Sequence, residues 1–152
     1  MNDFTGIELA FSARLVVAAV LGMAIGIERS IVGKHAGMRT YAMVSLGSAL
    51  FVVLGTLAAY QLSVFSGVNP LQIAGSIVVG IGFIGSGLAV YQGDRLEITT
   101  ASGIWVVAAV GMACGFGLYW LAVITTIISI VIFSFFSKLE RKIRGRWGVE
   151  QK

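Results

Sequence analysis

Long apolar segments separated by short polar ones dominate the pattern of residues along this chain. Three of these segments, at about 10–27, 41–61 and 71–91, are each close to the ~20 residues that an α-helix needs to cross about 30 Å of hydrocarbon. Runs of this length with few charges are typical of membrane spans, whereas shorter runs are typical of soluble cores. The pattern therefore predicts three transmembrane helices in this part of the chain.

A fourth apolar segment extends from Thr99 to Phe136 without a single charged residue. As one helix rising 1.5 Å per residue it would reach about 57 Å, far more than the hydrocarbon core. Two glycines near its middle, in Gly115-Phe-Gly117, favour a turn at that point. We therefore predict two spans here, at 99–115 and 118–136, and five spans in all.

The composition supports this count and indicates the fold class. The chain is 57% hydrophobic and 12% charged, against roughly 25% charged residues in a typical soluble domain. The first apolar segment is not expected to be a cleavable signal, because Asp3 and Glu8 precede it where a signal carries basic residues. We predict an all-α integral membrane protein, a five-helix bundle formed by residues 1–137 and followed by a basic cytoplasmic tail at 138–152.

The distribution of lysine and arginine predicts the orientation of the bundle. Cytoplasmic connectors carry an excess of these residues. With five spans and the N-terminus outside, the connectors after spans one and three and the tail are cytoplasmic and hold ten of the eleven Lys and Arg residues. The eleventh, Arg14, lies within span one. We therefore predict that the N-terminus is outside and the C-terminus inside.

The charged segment 26–40, between spans one and two, is the first candidate site. Glu28 lies beside Arg29 at the end of span one, and Arg39 and Thr40 open span two. We favour an ion pair between Glu28 and Arg39 that closes the hairpin, because carboxylate and guanidinium form strong bidentate pairs. The alternative is a cytoplasmic-side site for an ion, a lipid headgroup or a partner protein.

Two threonines extend this candidate inner polar cluster. Thr99 and Thr100 precede span four, where a threonine side chain can cap the first free amides of a helix. The same hydroxyls would join the cluster if span four begins near Arg39 in space.

A second candidate cluster lies at the outer side in this topology. Arg14 is about one turn inside span one, and no carboxylate occurs in the outer half of any later span. Its side chain either extends to the lipid headgroups or pairs with Asn69 and Gln72 at the start of span three. The sequence leaves both explanations open.

Glycine spacing predicts how the helices pack. Small residues four apart let membrane helices approach closely, and two such pairs occur, together with a dense series in span three: Gly22 and Gly26, Gly111 and Gly115, and Gly80, Gly82, Gly85 and Gly87. We expect these glycines to lie at helix contacts and span three to be the central helix. Self-association into a homo-oligomer is also expected.

The sequence contains no motif of a known enzyme class: no phosphate-binding loop, no paired histidines, no clustered cysteines and no glycine-serine elbow. It predicts a non-enzymatic protein without a cofactor, embedded in the lipid bilayer. The net charge of +4 does not indicate nucleic-acid binding, because the cations lie beside membrane spans. Whether the chain binds a metal stays open, since its spans lack acids away from their ends while glycine-rich backbone carbonyls can also hold cations.

These segments resemble the MgtC/SapB family of bacterial inner-membrane proteins. The similarity extends from about residue 10 to 135 and is carried by ordered pieces: Leu21-Gly-x-x-Ile-Gly-Ile-Glu-Arg29, Gly33-Lys-x-Ala-Gly-x-Arg-Thr40, Asn69-Pro-x-x-Ile-Ala74, Gly80-Ile-Gly-Phe-Ile-Gly-x-Gly87 and Thr99-Thr-Ala101. The chain departs from the family where Asn69-Pro70-Leu71-Gln72 replaces Asp-Pro-x-Arg and where Glu97 replaces a glycine.

The resemblance implies a virulence-associated, multi-pass inner-membrane protein linked to survival under magnesium limitation. It implies regulation of membrane machines such as the ATP synthase or cation transporters, and we expect a regulator or accessory factor in magnesium limitation or envelope stress. The alternatives are an oligomeric cation (Mg²⁺) transporter or channel and a protein that binds lipid headgroups. Larger relatives carry a soluble C-terminal ACT-like domain, and we expect this chain to correspond to their transmembrane part alone.

Overall fold

The computed structural model describes residues 2–61, 69–90 and 98–147, all within helices or short turns. The elements are α1 (Asn2–Ile31), α2 (Met38–Gln61), α3 (Pro70–Val90), α4 (Ile98–Gly115), α5 (Tyr119–Val131), a π-helical segment (Ile132–Phe136) and α6 (Ser137–Trp147). Five helical stretches in the described residues are long and apolar enough to cross a membrane. The predicted all-α membrane fold with five spans is therefore confirmed.

Three helices extend beyond the predicted spans. α1 continues to Ile31, and α2 begins at Met38, so the turn between them is shorter than the charged segment suggested. The last span does not end at Phe136, because the π-helical segment joins α5 directly to α6. Hydropathy marks where a helix leaves the lipid, while residues such as Glu, Arg and Lys continue a helix readily in water.

Two helix ends are closed by the same glycine motif. After α1, Gly33 has a φ of 75°, and the amides of Gly33 and Lys34 donate to the carbonyls of Ser30 and Arg29. After α4, Gly117 has a φ of 79°, and the amides of Gly117 and Leu118 donate to Cys114 and Ala113. Both are Schellman caps, in which the glycine adopts the left-handed conformation that other residues avoid. The predicted turn at Gly115-Phe-Gly117 is confirmed.

α4 is the central helix of the bundle, and the prediction that span three lies at the centre is wrong. α4 contacts α1, α2, α3 and α5, whereas α3 contacts only α2 and α4 among the described residues. Half of the α4 span is buried, against 6% of the α3 span. Glycine content alone does not identify the central helix, because a glycine face can be left open to the membrane.

The predicted packing glycines therefore divide into two groups. A methyl group added at Gly22 would lie 2.6 Å from Ser45 Cβ, and one at Gly26 would lie 2.5 Å from Met38 Cα. At Gly111 and Gly115 it would overlap α2. These four glycines lie at helix crossings between α1, α2 and α4.

The glycines of α3 lack such contacts. A methyl group at Gly85 would only touch Ala101, at 3.8 Å from its Cβ. One added at any of the other three predicted positions would meet nothing within 4 Å: Gly80, Gly82 and Gly87.

Candidate functional site

The two ends of the bundle each hold an arginine, and we name the ends after them. The Arg29 end contains the turn between α1 and α2, the start of α4 and the π-helical segment. The Arg14 end contains the turn between α4 and α5 and the start of α3.

Arg29 is a buried cation at the end of α1. Its side chain is 3% exposed, and its Nε donates to Oε2 of Glu28 at 2.5 Å. The guanidinium carbon also lies 3.9 Å from the centre of the Phe133 ring. A cation over an aromatic face is stabilised by the ring quadrupole, more strongly when water is excluded. Glu28 and Phe133 together compensate the buried charge.

Phe133 is the buried phenylalanine of the π-helical segment. Phe133 is 9% exposed, whereas Phe135 and Phe136 of the same segment are 58% and 52% exposed. Phe133 continues the buried face of α5, because the buried residues Ala122, Thr126 and Ser129 precede it at helical spacing. The other two phenylalanines lie on the outer surface.

Tyr41 and Thr100 connect this site to the centre of the bundle. Tyr41 is fully buried, and its hydroxyl donates to the carbonyl of Thr100 at 3.3 Å. Gly103 lies against both the Tyr41 hydroxyl and the Phe133 ring, where a side chain would clash. We call these residues the Arg29 cluster: Glu28, Arg29, Tyr41, Thr100, Gly103 and Phe133.

The predicted ion pair between Glu28 and Arg39 is not the pairing in the structure. Glu28 pairs with its neighbour Arg29, while the Arg39 side chain is exposed and has no ion pair or hydrogen bond with any described residue. α2 turns Met38 and Tyr41 toward α1, and Arg39 therefore lies on a different face of that helix.

The other predicted members of the inner polar cluster lie at different depths. Thr40 is half-buried, Thr99 is exposed and Thr100 is buried. Thr99 accepts a hydrogen bond from Ser102 through its carbonyl. The acidic connector with Asp94 and Glu97 lies outside the described residues.

At the other end, Arg14 is bound neither by Asn69 nor by Gln72. Its Nη1 donates to the Gly115 carbonyl at 2.8 Å, and its guanidinium carbon lies 4.8 Å from the Phe11 ring centre. The last carbonyls of a helix carry partial negative charge, so a cation here is favourable. The partner of Arg14 is therefore a backbone carbonyl at the end of α4 and not an acidic side chain.

Asn69 and Gln72 instead serve α3. The Asn69 side-chain oxygen accepts from the Leu71 amide at 3.0 Å and so caps the helix, while Gln72 is exposed. α1 and α3 do not contact each other within the described ranges, so Arg14 and these residues form no common site.

Sequence reasoning missed Tyr41, Gly103 and Phe133. A tyrosine just inside a span and a glycine in span four resemble many other positions in the chain. Phe133 continues a stripe of small or polar residues in span five, Ala122, Thr126 and Ser129, and this helical spacing was one available signal. Arg29 was another, since a cation at the end of an apolar helix needs partners.

The cluster is chemically suited to hold the helices together. It contains one carboxylate, already paired, and in the described part of the chain no three His, Cys, Asp or Glu side chains lie close enough together to hold a metal ion. The arrangement can fix the register of α1 against α2, α4 and the π-helical segment.

Comparisons with known proteins identify relatives. The sequence profile of the MgtC family matches residues 15–142. The chain is 37% identical over 139 residues to the Escherichia coli (strain K12) protein named "Putative magnesium transporter YhiD", covering 90% of this chain and 65% of that protein. It is 36% identical over 143 residues to Protein SrpB of Synechococcus elongatus, covering 88% and 78%. It is 38% identical over 122 residues to Protein MgtC of Brucella abortus, covering 80% and 49%.

The chain thus spans 65% of the length of YhiD and about half of the length of Brucella MgtC. No solved structure gives a significant match.

Proposed function

Because this chain belongs to the MgtC family of bacterial inner-membrane proteins, we propose that it regulates or assists other membrane machinery during magnesium limitation or envelope stress. In this proposal it is a non-enzymatic protein that acts through helix contacts within the membrane.

The packing around α4 is the observation that carries this proposal. The backbone of α2 lies so close to Gly111 that a methyl group there would overlap the Ser45 carbonyl. At Gly115 a methyl group would lie 2.8 Å from the Ala49 carbonyl oxygen. Helices in backbone contact along the bundle axis leave little space for a hydrated ion within one copy, so action on another protein fits this packing better than conduction.

The outer face of α3 offers a surface for that contact. We define it by five residues that share one side of the helix: Gly75, Val79, Gly82, Phe83 and Ser86. A methyl group at Gly75 or Gly82 would meet nothing within 4 Å, and Val79 and Phe83 are 76% and 82% exposed. Small residues beside large apolar ones allow another membrane helix to approach closely. The partner we propose is a subunit of the ATP synthase or a cation transporter, and the same surface could join two copies of this chain.

A reconstitution experiment tests the proposal. Purified protein is placed in liposomes that contain a Mg²⁺-sensitive dye, and the uptake of external Mg²⁺ is compared with that of protein-free liposomes. We expect equal rates. In parallel, the tagged chain is purified from native membranes, and ATP synthase subunits are expected to accompany it in stoichiometric amounts.

Two leucine variants give the partner experiment its control. Gly82→Leu adds bulk to the outer face of α3 and should remove the partner, whereas Gly80→Leu adds the same bulk on the side turned toward α2 and should keep it. Protein-dependent Mg²⁺ uptake that is lost in Glu28→Ala or Arg39→Ala would overturn the regulatory proposal.

The second candidate is a cation transporter, which the name of the YhiD relative favours. Since the centre of a single bundle is tightly packed, its pathway would run between copies in an oligomer. The liposome experiment separates the two candidates directly, because only the transporter produces uptake.

A further inference from the structure

An apolar groove lies between α2 and α3 and opens toward the surrounding membrane. Its volume is about 480 Å³, and Met43, Gly47 and Phe51 of α2 and Gly80 and Ile84 of α3 are among the residues that line it. A methyl group added at Gly47 or Gly80 would meet nothing within 4 Å. The two glycines therefore make the groove deep, and no side chain of the described residues fills it at these points.

The dimensions of the groove fit an acyl chain better than a helix. From Ile73 to Ile84 the lining of α3 extends about 16 Å at 1.5 Å per residue, close to one leaflet of a hydrocarbon core of about 30 Å. A methylene group takes about the 30 Å³ that a water molecule occupies in the liquid, so the groove is large enough for a substantial part of an acyl chain. A segment of transmembrane helix of the same length, about 10 Å wide, exceeds the volume of the groove.

The groove is closed at one end and has a cation at the other. Toward the Arg14 end, Ile73 packs directly against Gly55 and joins the two helices. Toward the Arg29 end, Arg39 lies one turn before Met43, in the i, i+4 series that continues with Gly47 and Phe51. Arg39 thus lies about 6 Å along the helix beyond Met43, past the end of the groove, and is not itself one of the residues that line it.

Arg39 is available to an external anion. Its side chain is exposed and forms no ion pair or hydrogen bond with the described residues. It lies in the first turn of a transmembrane helix, at the depth where lipid headgroups meet water. A guanidinium can bind a phosphate through two parallel hydrogen bonds.

We infer that the groove between α2 and α3 binds an acyl chain of an anionic phospholipid, whose phosphate pairs with Arg39. The apolar groove accommodates an acyl chain along its length, and Arg39, which has no ion pair with the described residues, favours a headgroup with net negative charge. The inference does not depend on the proposed regulatory role.

Native mass spectrometry tests this site. The purified chain is reconstituted in nanodiscs that contain equal parts of phosphatidylglycerol and phosphatidylethanolamine, and the lipid retained after extraction is measured. The wild type should retain phosphatidylglycerol in preference. Gly80→Leu should lower the retained lipid at least about tenfold, because leucine carbons take the place of the acyl chain. Arg39→Gln should lower retained phosphatidylglycerol about fivefold, the factor expected for one cation near an anionic surface.

Each variant has a matched control. Gly82→Leu places the same side chain on the outer face of α3, and Lys138→Gln removes an exposed cation from the Arg29 end; both should retain lipid as the wild type does. If Gly80→Leu fails to fold, the comparison of Arg39→Gln with Lys138→Gln still tests whether lipid is bound at this site.

Three results would overturn the inference. One is that Gly80→Leu retains as much lipid as the wild type. Another is that Arg39→Gln and Lys138→Gln lose equal amounts of phosphatidylglycerol, which would indicate attraction to the basic surface as a whole. The third is a lipid-free dimer that Gly80→Leu dissociates, which assigns the groove to a second copy.

Discussion

The buried guanidinium of Arg29 needs partners from the fold to compensate its charge. Moving a charged group out of water costs several kcal/mol of free energy unless the group is paired and hydrogen-bonded. Glu28 provides the counter-charge from the same turn of α1, and Phe133 provides an aromatic face from the other end of the chain. Since the first partner is local and the second requires the bundle, Arg29 connects local helix formation to tertiary packing.

Arg29→Gln should destabilise the protein by about 3–5 kcal/mol, the range for removing one partner of a buried ion pair. Unfolding can be followed in detergent through the reaction of maleimide with Cys114, which is the only cysteine of the chain and is fully buried. Arg39→Gln is the matched control and should change stability by no more than about 0.5 kcal/mol, as exposed substitutions do. A larger loss of stability in Arg39→Gln than in Arg29→Gln would instead support an ion pair between Glu28 and Arg39.

The sequence was sufficient to indicate Glu28 and Arg29 as a candidate site but not to pair them correctly. Charge next to an apolar run is visible without a structure. Whether Glu28 pairs with Arg29 or with Arg39 depends on how far α1 continues and on which side of α2 faces α1. A hydropathy pattern gives no information on either point. The partner of Arg14 was equally unpredictable from the sequence, because it is a backbone carbonyl and every residue has one.

Glycine brings the backbones of α2 and α4 into direct contact. The methyl group of an alanine at Gly111 would overlap the backbone of Ser45, and backbone atoms cannot move aside as a flexible side chain can. Gly111→Ala should therefore separate α4 from α2 and destabilise the bundle by about 1–3 kcal/mol, the usual range for overpacking. The midpoint of Cys114 labelling against temperature measures the change.

Gly82→Ala is the control for this prediction, since it makes the same substitution in a helix where a methyl group meets open space. It should be neutral or stabilising, because alanine has the higher helix propensity by up to about 1 kcal/mol. Equal destabilisation by the two variants would contradict the distinction between packed and open glycines.

Element boundaries were predictable where the backbone itself demands a particular residue. Gly117 ends α4 because the turn requires a positive φ, and the glycine pair near the middle of a long apolar run indicated it. The π-helical segment was not predictable, because Ile132–Phe136 has the composition of an ordinary membrane helix. Phe133 of this segment contacts Arg29 of α1 and lies against Gly103 of α4.

For the whole molecule, the count of five spans followed from length and hydropathy, but their arrangement did not. α3 has the densest glycine series and still lies at the edge, whereas α4 has fewer glycines and lies at the centre. In a membrane, lipid and protein are similarly apolar, so hydrophobicity does not separate buried from exposed faces. The arrangement depends on complementary shape, as in the contacts of Gly22, Gly111 and Gly115 with α2, together with the polar contacts of Arg14 and Arg29.

Charge predicts the orientation of the bundle, because the Arg29 end carries the basic connector and the start of the basic α6. We expect that end to face the cytoplasm. In a Cys114→Ala background, single cysteines at exposed positions of the two ends, His35→Cys and Leu118→Cys, can be treated with a membrane-impermeant maleimide in whole cells. Leu118→Cys should react at once and His35→Cys only after permeabilisation. Lys142→Cys, in α6, should behave like His35→Cys. Labelling of both in whole cells would contradict the orientation, and labelling of Lys142→Cys alone would contradict the odd number of crossings.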